Sequence, residues 1–397
     1  METLRRRFIE KYNRTDTSTI RSFYNTVYWK DRLIGIKGQR GVGKTTLILQ
    51  YIKKNLKLDY ATLYASLDHI YFSNASLYNL AEEFLAKGGK YLFLDEIHRY
   101  KNWGQELKNI YDDFPELKVV FTGSSMLHIR KAKEDLSRRA VIYEMHGLSF
   151  REFINFETGE NFEIISFEKI LSDHTLISSN IIKHIKPLAF FQQYLQYGFY
   201  PFYLENKETF YQRLNEALNV VLEVDIPQFE EIQIKYIEKL KQLLYIISMS
   251  VPFKPNFQKL AERTEISVNT LKAYLLYLEE ARVIHQLKQE GKGTNLLGKL
   301  EKIYLNNTNL MFTLSKNQPE KGSLRETFFA NQVSAIETVY ASKKTDFIVN
   351  NQYSFEIGGK NKTKKQIINL ENAFVVKDDI EIGFETQIPL WLFGFLY

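Results

Sequence analysis

The chain contains no cysteine. It can form no disulfide, no thiolate metal site and no cysteine nucleophile, which fits a reducing compartment. Its seven histidines fall at no metal-ligand spacing, and His98 is expected to pack or hydrogen-bond rather than bind metal. Internal repeats and low-complexity tracts are absent. No apolar run is long enough to cross a bilayer. The longest, Ile388–Tyr397, is interrupted by Pro389 and Gly394 and is expected to form a buried terminal strand. Arg5-Arg6-Arg7 is not followed by an apolar segment, so no secretory signal is expected and the location is expected to be cytoplasmic, without a membrane partner. Charge of one sign is also scarce. The net charge of +6 permits contact with nucleic acid but does not argue for it.

The 397 residues imply two to four domains, and 44% hydrophobic with 25% charged residues is ordinary for a folded protein. With 29 Phe and 25 Tyr, aromatic-rich cores are expected. Residues 1–150 alternate short apolar runs with helical patterns, as α/β folds do. The expected strands are Leu33–Lys37, Ala61–Tyr64, Tyr91–Leu94, Val119–Phe121 and Ala140–Tyr143.

Between the first strand and a following helix lies Gly38-Gln39-Arg40-Gly41-Val42-Gly43-Lys44-Thr45, a G-x-x-x-x-G-K-[ST] phosphate-binding loop. Strand, loop and helix point free backbone N–H groups, extending to Thr46, at one anion. Lys44 is expected to reach the β- and γ-phosphates of ATP, and the Thr45 hydroxyl to hold Mg²⁺. The third strand ends in Asp95-Glu96. Asp95 is expected to hold Mg²⁺ through Thr45 or water, and Glu96 to orient the attacking water as general base. The fourth strand ends in Thr122-Gly123-Ser124, where Thr122 or Ser124 is expected to sense the γ-phosphate. Arg138 and Arg139 precede the fifth strand, and one of them is expected to stabilise charge on the transferring phosphoryl group, in cis or in trans. Arg99, close after the acidic pair, is a weaker candidate for that role and equally a candidate for contact with a partner or DNA.

Residues 151–250 read as a helical lid or linker, with helices Glu208–Val224 and Ile232–Ser250. Residues 251–305 read as a winged helix. Phe257–Arg263 and Val268–Ala281 are two short helices, the second capped by Ser267, and Val283–Leu287 and Leu296–Tyr304 flank a glycine-containing turn. Asn269, Thr270, Lys272 and Tyr274 suit contact with a nucleic-acid groove, whereas Glu279 and Glu280 oppose it. Lys288 and Lys292 are candidate phosphate contacts. Residues 306–397 read as a small α+β domain. Its helix Leu324–Ile336 carries Glu326, and Asp346, Glu356 and Lys360 follow in and between its strands.

Several of these motifs together resemble the archaeal/bacterial AAA-like ATPases that carry a C-terminal domain of unknown function. They are the phosphate loop, Leu94–His98, Trp103, Phe121–Ser125 and the run Leu136–Phe153. The resemblance continues, more weakly, through Tyr197–Pro201, Val224–Ile226 and Ser267–Tyr274. It implies a P-loop NTPase parallel sheet of the additional-strand class, then a helical segment, a winged helix and a small α+β restriction-endonuclease-like domain. The implied activity is ATP hydrolysis, and the first reading built on it is a Mg²⁺-dependent ATPase whose nucleotide state controls a C-terminal region that acts on DNA. A nucleotide-operated signalling or assembly switch, acting on a protein partner or a homo-oligomer, is the alternative.

The order Glu326, Asp346, Glu356, Lys360 resembles the PD-(D/E)xK nuclease pattern, in which carboxylates bind Mg²⁺ and a lysine activates water. It departs from that pattern at Gly358, where the lysine is expected, so Lys360 would need a bulge to reach the metal. A degenerate nuclease fold kept as a binding module is the other reading.

Overall fold

The run Leu33–Lys37 is covered on both faces and, until its last residue, uncharged, as a parallel strand between helices has to be. It is an inner strand of the first of two units in the computed structural model. The described residues are 1–123, 136, 138–227, 234–290, 299–315 and 317–397. They divide into Met1–Gly147 and Leu148–Tyr397.

In the first unit, β1 (Leu33–Lys37), β2 (Thr62–Ser66), β3 (Tyr91–Asp95), β4 (Lys118–Gly123) and β5 (Val141–Glu144) form one sheet in the order β2-β3-β4-β1-β5. All four pairings are parallel. Strand β4 therefore lies between the strand that leads into the phosphate loop and the strand that ends in the acidic pair. Alternate residues feed two cores, one on each face. Ile34, Ile36 and Phe93 pack on helix α2 (Lys44–Asn55) through Leu47, Ile48 and Ile52. Leu33, Leu92 and Phe121 pack on α3 (Leu77–Ala86) and α4 (Trp103–Asp113). The N-terminal helix α1 (Glu2–Arg14) sends Leu4 into one core and Phe8 into the other. Ligands of such sheets collect beyond the carboxyl ends of the strands, where the connections diverge to opposite faces.

The second unit begins with α5 (Phe150–Thr158), whose start is fixed by a reciprocal Ser149–Glu152 capping box. Helices α6 (Phe167–Ile181), α7 (Pro187–Gln193), α8 (Phe210–Val220) and α9 (Ile234–Ser248) follow. Wide π-type turns at Tyr194–Gly198 and Val221–Asp225 extend α7 and α8. Helices α10 (Phe257–Thr264) and α11 (Val268–Glu280) are joined by a tight turn, and the Ser267 side chain accepts from the Thr270 N–H to cap α11. An antiparallel pair, β6 (Ile284–Lys288) and β7 (Leu300–Leu305), comes next, then α12 (Thr308–Leu314) and α13 (Lys321–Val333). A mixed sheet closes the unit, in the order β12-β11-β10-β9-β8. Its strands are β8 (Val339–Ala341), β9 (Phe347–Val349), β10 (Tyr353–Gly358), β11 (Ala373–Lys377) and β12 (Gln387–Pro389). One buried core runs from Leu148 to Leu396, so the segments drawn at 250 and 305 share their interior.

The C-terminal run corrects an expectation. Strand β12 stops at Pro389, and Leu390–Phe395 is a buried 3-10 helix rather than strand. Proline has no N–H to continue the ladder, and an apolar run covered on every side has no period that separates a strand from a buried helical turn.

Asn309, at the start of α12, shows how the second unit satisfies its irregular backbone. Its amide accepts from the Phe199 N–H at 2.9 Å and donates to the Tyr194 and Leu195 carbonyls at 3.1 and 3.0 Å, with no exposure. Asn309→Ala should destabilise this unit by roughly 3 kcal/mol, because three buried backbone groups lose their partners. Urea unfolding in a Trp29→Phe, Trp103→Phe background reads this directly, since Trp391 then remains as the sole indole.

Candidate functional site

The phosphate loop is shaped by residues that tolerate no bulk and no inversion. Gly41 and Gly43 sit at φ +84° and +97°, in the left-handed region that glycine enters at no steric cost. A Cβ on Gly38 would lie 2.3 Å from the Met145 carbonyl oxygen, so backbone meets backbone there. Arg21 fixes the loop from outside. Its buried guanidinium donates to the carbonyls of Val42 (2.9 Å), His146 (2.7 Å) and Gly147 (2.8 Å), joining the loop to the segment after β5. Lys44 is buried, and its ammonium donates to the Gly38 and Gln39 carbonyls at 2.9 Å each.

Asp95 ends β3, 2% exposed. A carboxylate so buried must be met by donors. Thr45 Oγ1 donates to its Oδ2 at 2.7 Å, Tyr64 Oη donates to the same oxygen at 2.6 Å, and Thr122 Oγ1 donates to Oδ1. Thr122 also accepts from the Glu96 N–H at 3.2 Å. Burial first, and then the neighbouring Asp95 charge, push the Tyr64 phenol far above its ordinary range, so it stays a donor. Lys11 Nζ donates to Tyr64 Oη at 2.9 Å.

Glu96 follows at φ +53°, a left-handed conformation costing about 1 kcal/mol or more for a residue with a side chain. Its carboxylate lies 3.4 Å from the buried His98 Nε2 and 3.9 Å from the Arg40 guanidinium. Beyond it opens a cleft of about 960 Å³, lined among others by Lys11, Arg40, Thr45, Asp95, Glu96 and Arg99. The arrangement brings a glycine-rich loop, a lysine, a hydroxyl–carboxylate pair and a second carboxylate to the carboxyl ends of β1 and β3. The Thr45–Asp95 oxygen pair suits a hard divalent cation.

Residues 30–154 match a family model described as an AAA domain. The matched stretch takes in most of the first unit, which is thus similar to an AAA domain. Residues 189–321 match a second family model, described as a domain of unknown function. An uncharacterized protein of Methanocaldococcus jannaschii is 27% identical over 288 residues, covering 69% of this chain and 60% of that protein. The chain thus spans about three-fifths of that relative. A Walker-type ATPase of Pyrococcus abyssi is similar over 72% of this chain and 91% of its own, at 15% identity and a TM-score of 0.40. AMPPCP-bound DnaA from Aquifex aeolicus is similar over 65% and 84%, at 14% identity and a TM-score of 0.24.

Within the first unit, the structure brings together Gly38 through Thr46, Asp95, Glu96 and Thr122. Thr122 is turned to Asp95 and the Glu96 backbone. Ser124 lies outside the described residues. Arg139 forms a two-pronged pair with Asp112 on α4, both contacts at 2.9 Å, and Arg138 is exposed at φ +71°. Sequence reasoning passed over Arg21, Tyr64 and Lys11. The one legible signal was Tyr64, a hydroxyl in an apolar strand. Arg21 and Lys11 lie in segments with no motif.

In the second unit, Glu326 on α13, Asp346 before β9 and Glu356 on β10 lie near two lysines. Lys302, on β7, is 3.6 Å from Glu326 and 3.8 Å from Asp346. The lysine that meets Glu356 is Lys362, not the expected Lys360. A Cβ on Gly358 would fall 2.6 Å from Lys362 Cγ, so the glycine leaves the channel through which Lys362 folds back to the carboxylate. Burial raises the carboxyls of Glu326 and Glu356 above their usual range. Tyr304 Oη donates to Glu326 at 2.6 Å, and Asp346 Oδ2 accepts from the Ile357 N–H at 2.8 Å. Among the described residues no group of three or more acidic or histidine side chains is placed to hold a metal ion. These carboxylates are engaged by lysine, tyrosine and backbone, while Glu356 Oε2 is buried with no hydrogen-bond partner.

Thr122→Val should lower the stability of the first unit by about 1–3 kcal/mol, because Asp95 and the Glu96 N–H lose a buried hydroxyl, while Thr122→Ser should stay near wild type. Thermal unfolding of the two variants side by side makes the comparison.

Proposed function

We propose that this chain is a Mg²⁺-dependent ATPase whose nucleotide state controls its C-terminal region, and that this region acts on DNA. The observation that carries the reading is the Thr45–Asp95 hydrogen bond at the mouth of the phosphate loop, with Glu96 as the next residue. Lys44 exchanges the Gly38 and Gln39 carbonyls for the β- and γ-phosphate oxygens of ATP. The backbone N–H groups from Gly41 to Thr46 take the remaining phosphate charge at the start of α2. Thr45 and Asp95 are the residues that would hold Mg²⁺, which would supply charge neutralisation on the phosphate oxygens. Glu96, released from His98 and Arg40, orients the water and accepts its proton. Ser124 as a γ-phosphate sensor, and Arg138 or Arg139 as the arginine stabilising the transferred group, complete the assignment.

Contact with DNA is assigned to the helix pair α10–α11 with β6 and β7, read as a winged helix, followed by the endonuclease-like sheet. Support comes from the orientation of Glu279. Its carboxylate accepts from the Gln286 N–H at 3.1 Å and from the Gln286 side chain at 2.9 Å, and burial raises it above its usual range. It is therefore held by Gln286 of β6, which weakens its opposition to a phosphate that meets Asn269, Thr270 or Lys272. The second reading is a nucleotide-operated switch acting on a protein partner. It is favoured by Lys302, whose ammonium lies between Glu326 and Asp346, and under it the sheet binds without cutting.

Steady-state release of phosphate from ATP, with Mg²⁺ and with or without single- and double-stranded DNA, tests both readings. Lys44→Ala should abolish turnover, and Glu96→Gln should reduce it by about 100-fold or more while retaining bound ATP. Turnover of Glu96→Gln near the wild-type rate would overturn the assignment of the base. Stimulation by DNA supports the first reading, and turnover indifferent to DNA supports the second.

A further inference from the structure

Asp95 has one more hydroxyl partner than a phosphate-binding site requires. Thr45 is shared with the metal, and Thr122 belongs to the neighbouring strand β4. Tyr64 belongs to neither role. It lies on β2, in register with Phe93, and its hydroxyl reaches the same carboxylate oxygen that Thr45 meets. The ring is 3% exposed and packed in the core with Phe8, Ile34, Ile36 and Phe93, with the Phe8 ring centroid at 6.2 Å. A phenol held in a close-packed interior cannot swing away from its acceptor.

The phenol is itself held. Lys11, on α1, places its ammonium 2.9 Å from Tyr64 Oη and 4.8 Å from the ring centroid. The oxygen accepts from a cation on one side and donates to a carboxylate on the other. Each bond in such a chain polarises the next. Lys11 also lines the cleft that Thr45, Asp95 and Glu96 line. Helix α1, however, lies before residues 30–154, the stretch that the AAA family model covers.

We propose that Lys11 and Tyr64 are positioning residues for Asp95, setting its carboxylate for the Mg²⁺-bound nucleotide, and that α1 is thereby part of the ATPase site. The proposal rests on the ATPase reading above but concerns residues that reading does not use. Lys11 acts only through Tyr64. The Tyr64 bond is independent of nucleotide, so Asp95 keeps its orientation when the Thr45 oxygen turns to the metal.

The test is binding of a fluorescent ATP analogue to the full chain, titrated with Mg²⁺ and repeated in EDTA, for wild type, Tyr64→Phe, Lys11→Met and the double variant. Tyr64→Phe should raise the Mg²⁺ concentration for half-maximal tight binding by about tenfold, the worth of one hydrogen bond to a charged group, with affinity in EDTA unchanged. Lys11→Met should shift it about threefold, should add nothing to Tyr64→Phe, and should be rescued by Lys11→Arg. Equal losses with and without Mg²⁺, additive effects, or an unchanged Mg²⁺ dependence would each overturn the proposal. Lys11 is at the cleft rather than in the core, so its variant decides the matter if Tyr64→Phe folds poorly. A wild-type chain that binds nucleotide without hydrolysing it would sink the ATPase reading, and the binding titration would still decide this one.

Discussion

A single buried negative charge organises the first unit. Asp95 is removed from water at the end of a strand, and a carboxylate in that position is tolerated only with donors on both oxygens. Those donors come from the start of α2, from β2 and from β4, so meeting the charge fixes three separate segments of chain relative to one another. The phosphate loop is then held on its other side by Arg21, which ties three backbone carbonyls to one guanidinium. The groups that bind and act are rigid because they are also the groups that keep the charge buried.

The first unit was legible in the sequence to an unusual degree because its chemistry is local. The phosphate loop is one contiguous run, and the bounds of β1 and α3 come directly from where apolar residues begin and end. Tyr64, Lys11 and Arg21 were not legible, for a physical reason. Each acts at a distance set by strand order, and nothing in the chain announces that residue 64 will lie beside residue 93, or residue 21 beside residues 146 and 147. Arg139 shows what local reading leaves out. Its place before β5 suggests a phosphoryl contact, yet Asp112 on α4 offers a two-pronged partner that only the fold reveals.

The second unit was harder to read because its signals conflict. The acids at 326, 346 and 356 follow the order of a nuclease site, but charge partners come from elsewhere. Lys302 arrives from β7, outside the segment in which the pattern was sought, and Lys362 arrives from beyond Gly358. Sequence spacing assumes that the lysine shares a strand with its acid. A glycine at that strand position allows a more distant lysine to fold over it and reach the same carboxylate. The C-terminal run was misread for a different reason, since wholly apolar segments carry no periodicity to distinguish a strand from a buried helical turn.

Strand β4 has a consequence for what the first unit can accommodate. It stands between β1 and β3, so the two strands that carry the phosphate loop and the acidic pair are separated by two inter-strand steps, roughly 10 Å in all. The interposed strand is a spacer between the backbones that carry the loop and the acidic pair. The spacing of the two strands is thus gauged by the width of a peptide ladder, a dimension that no side-chain substitution in the site can alter.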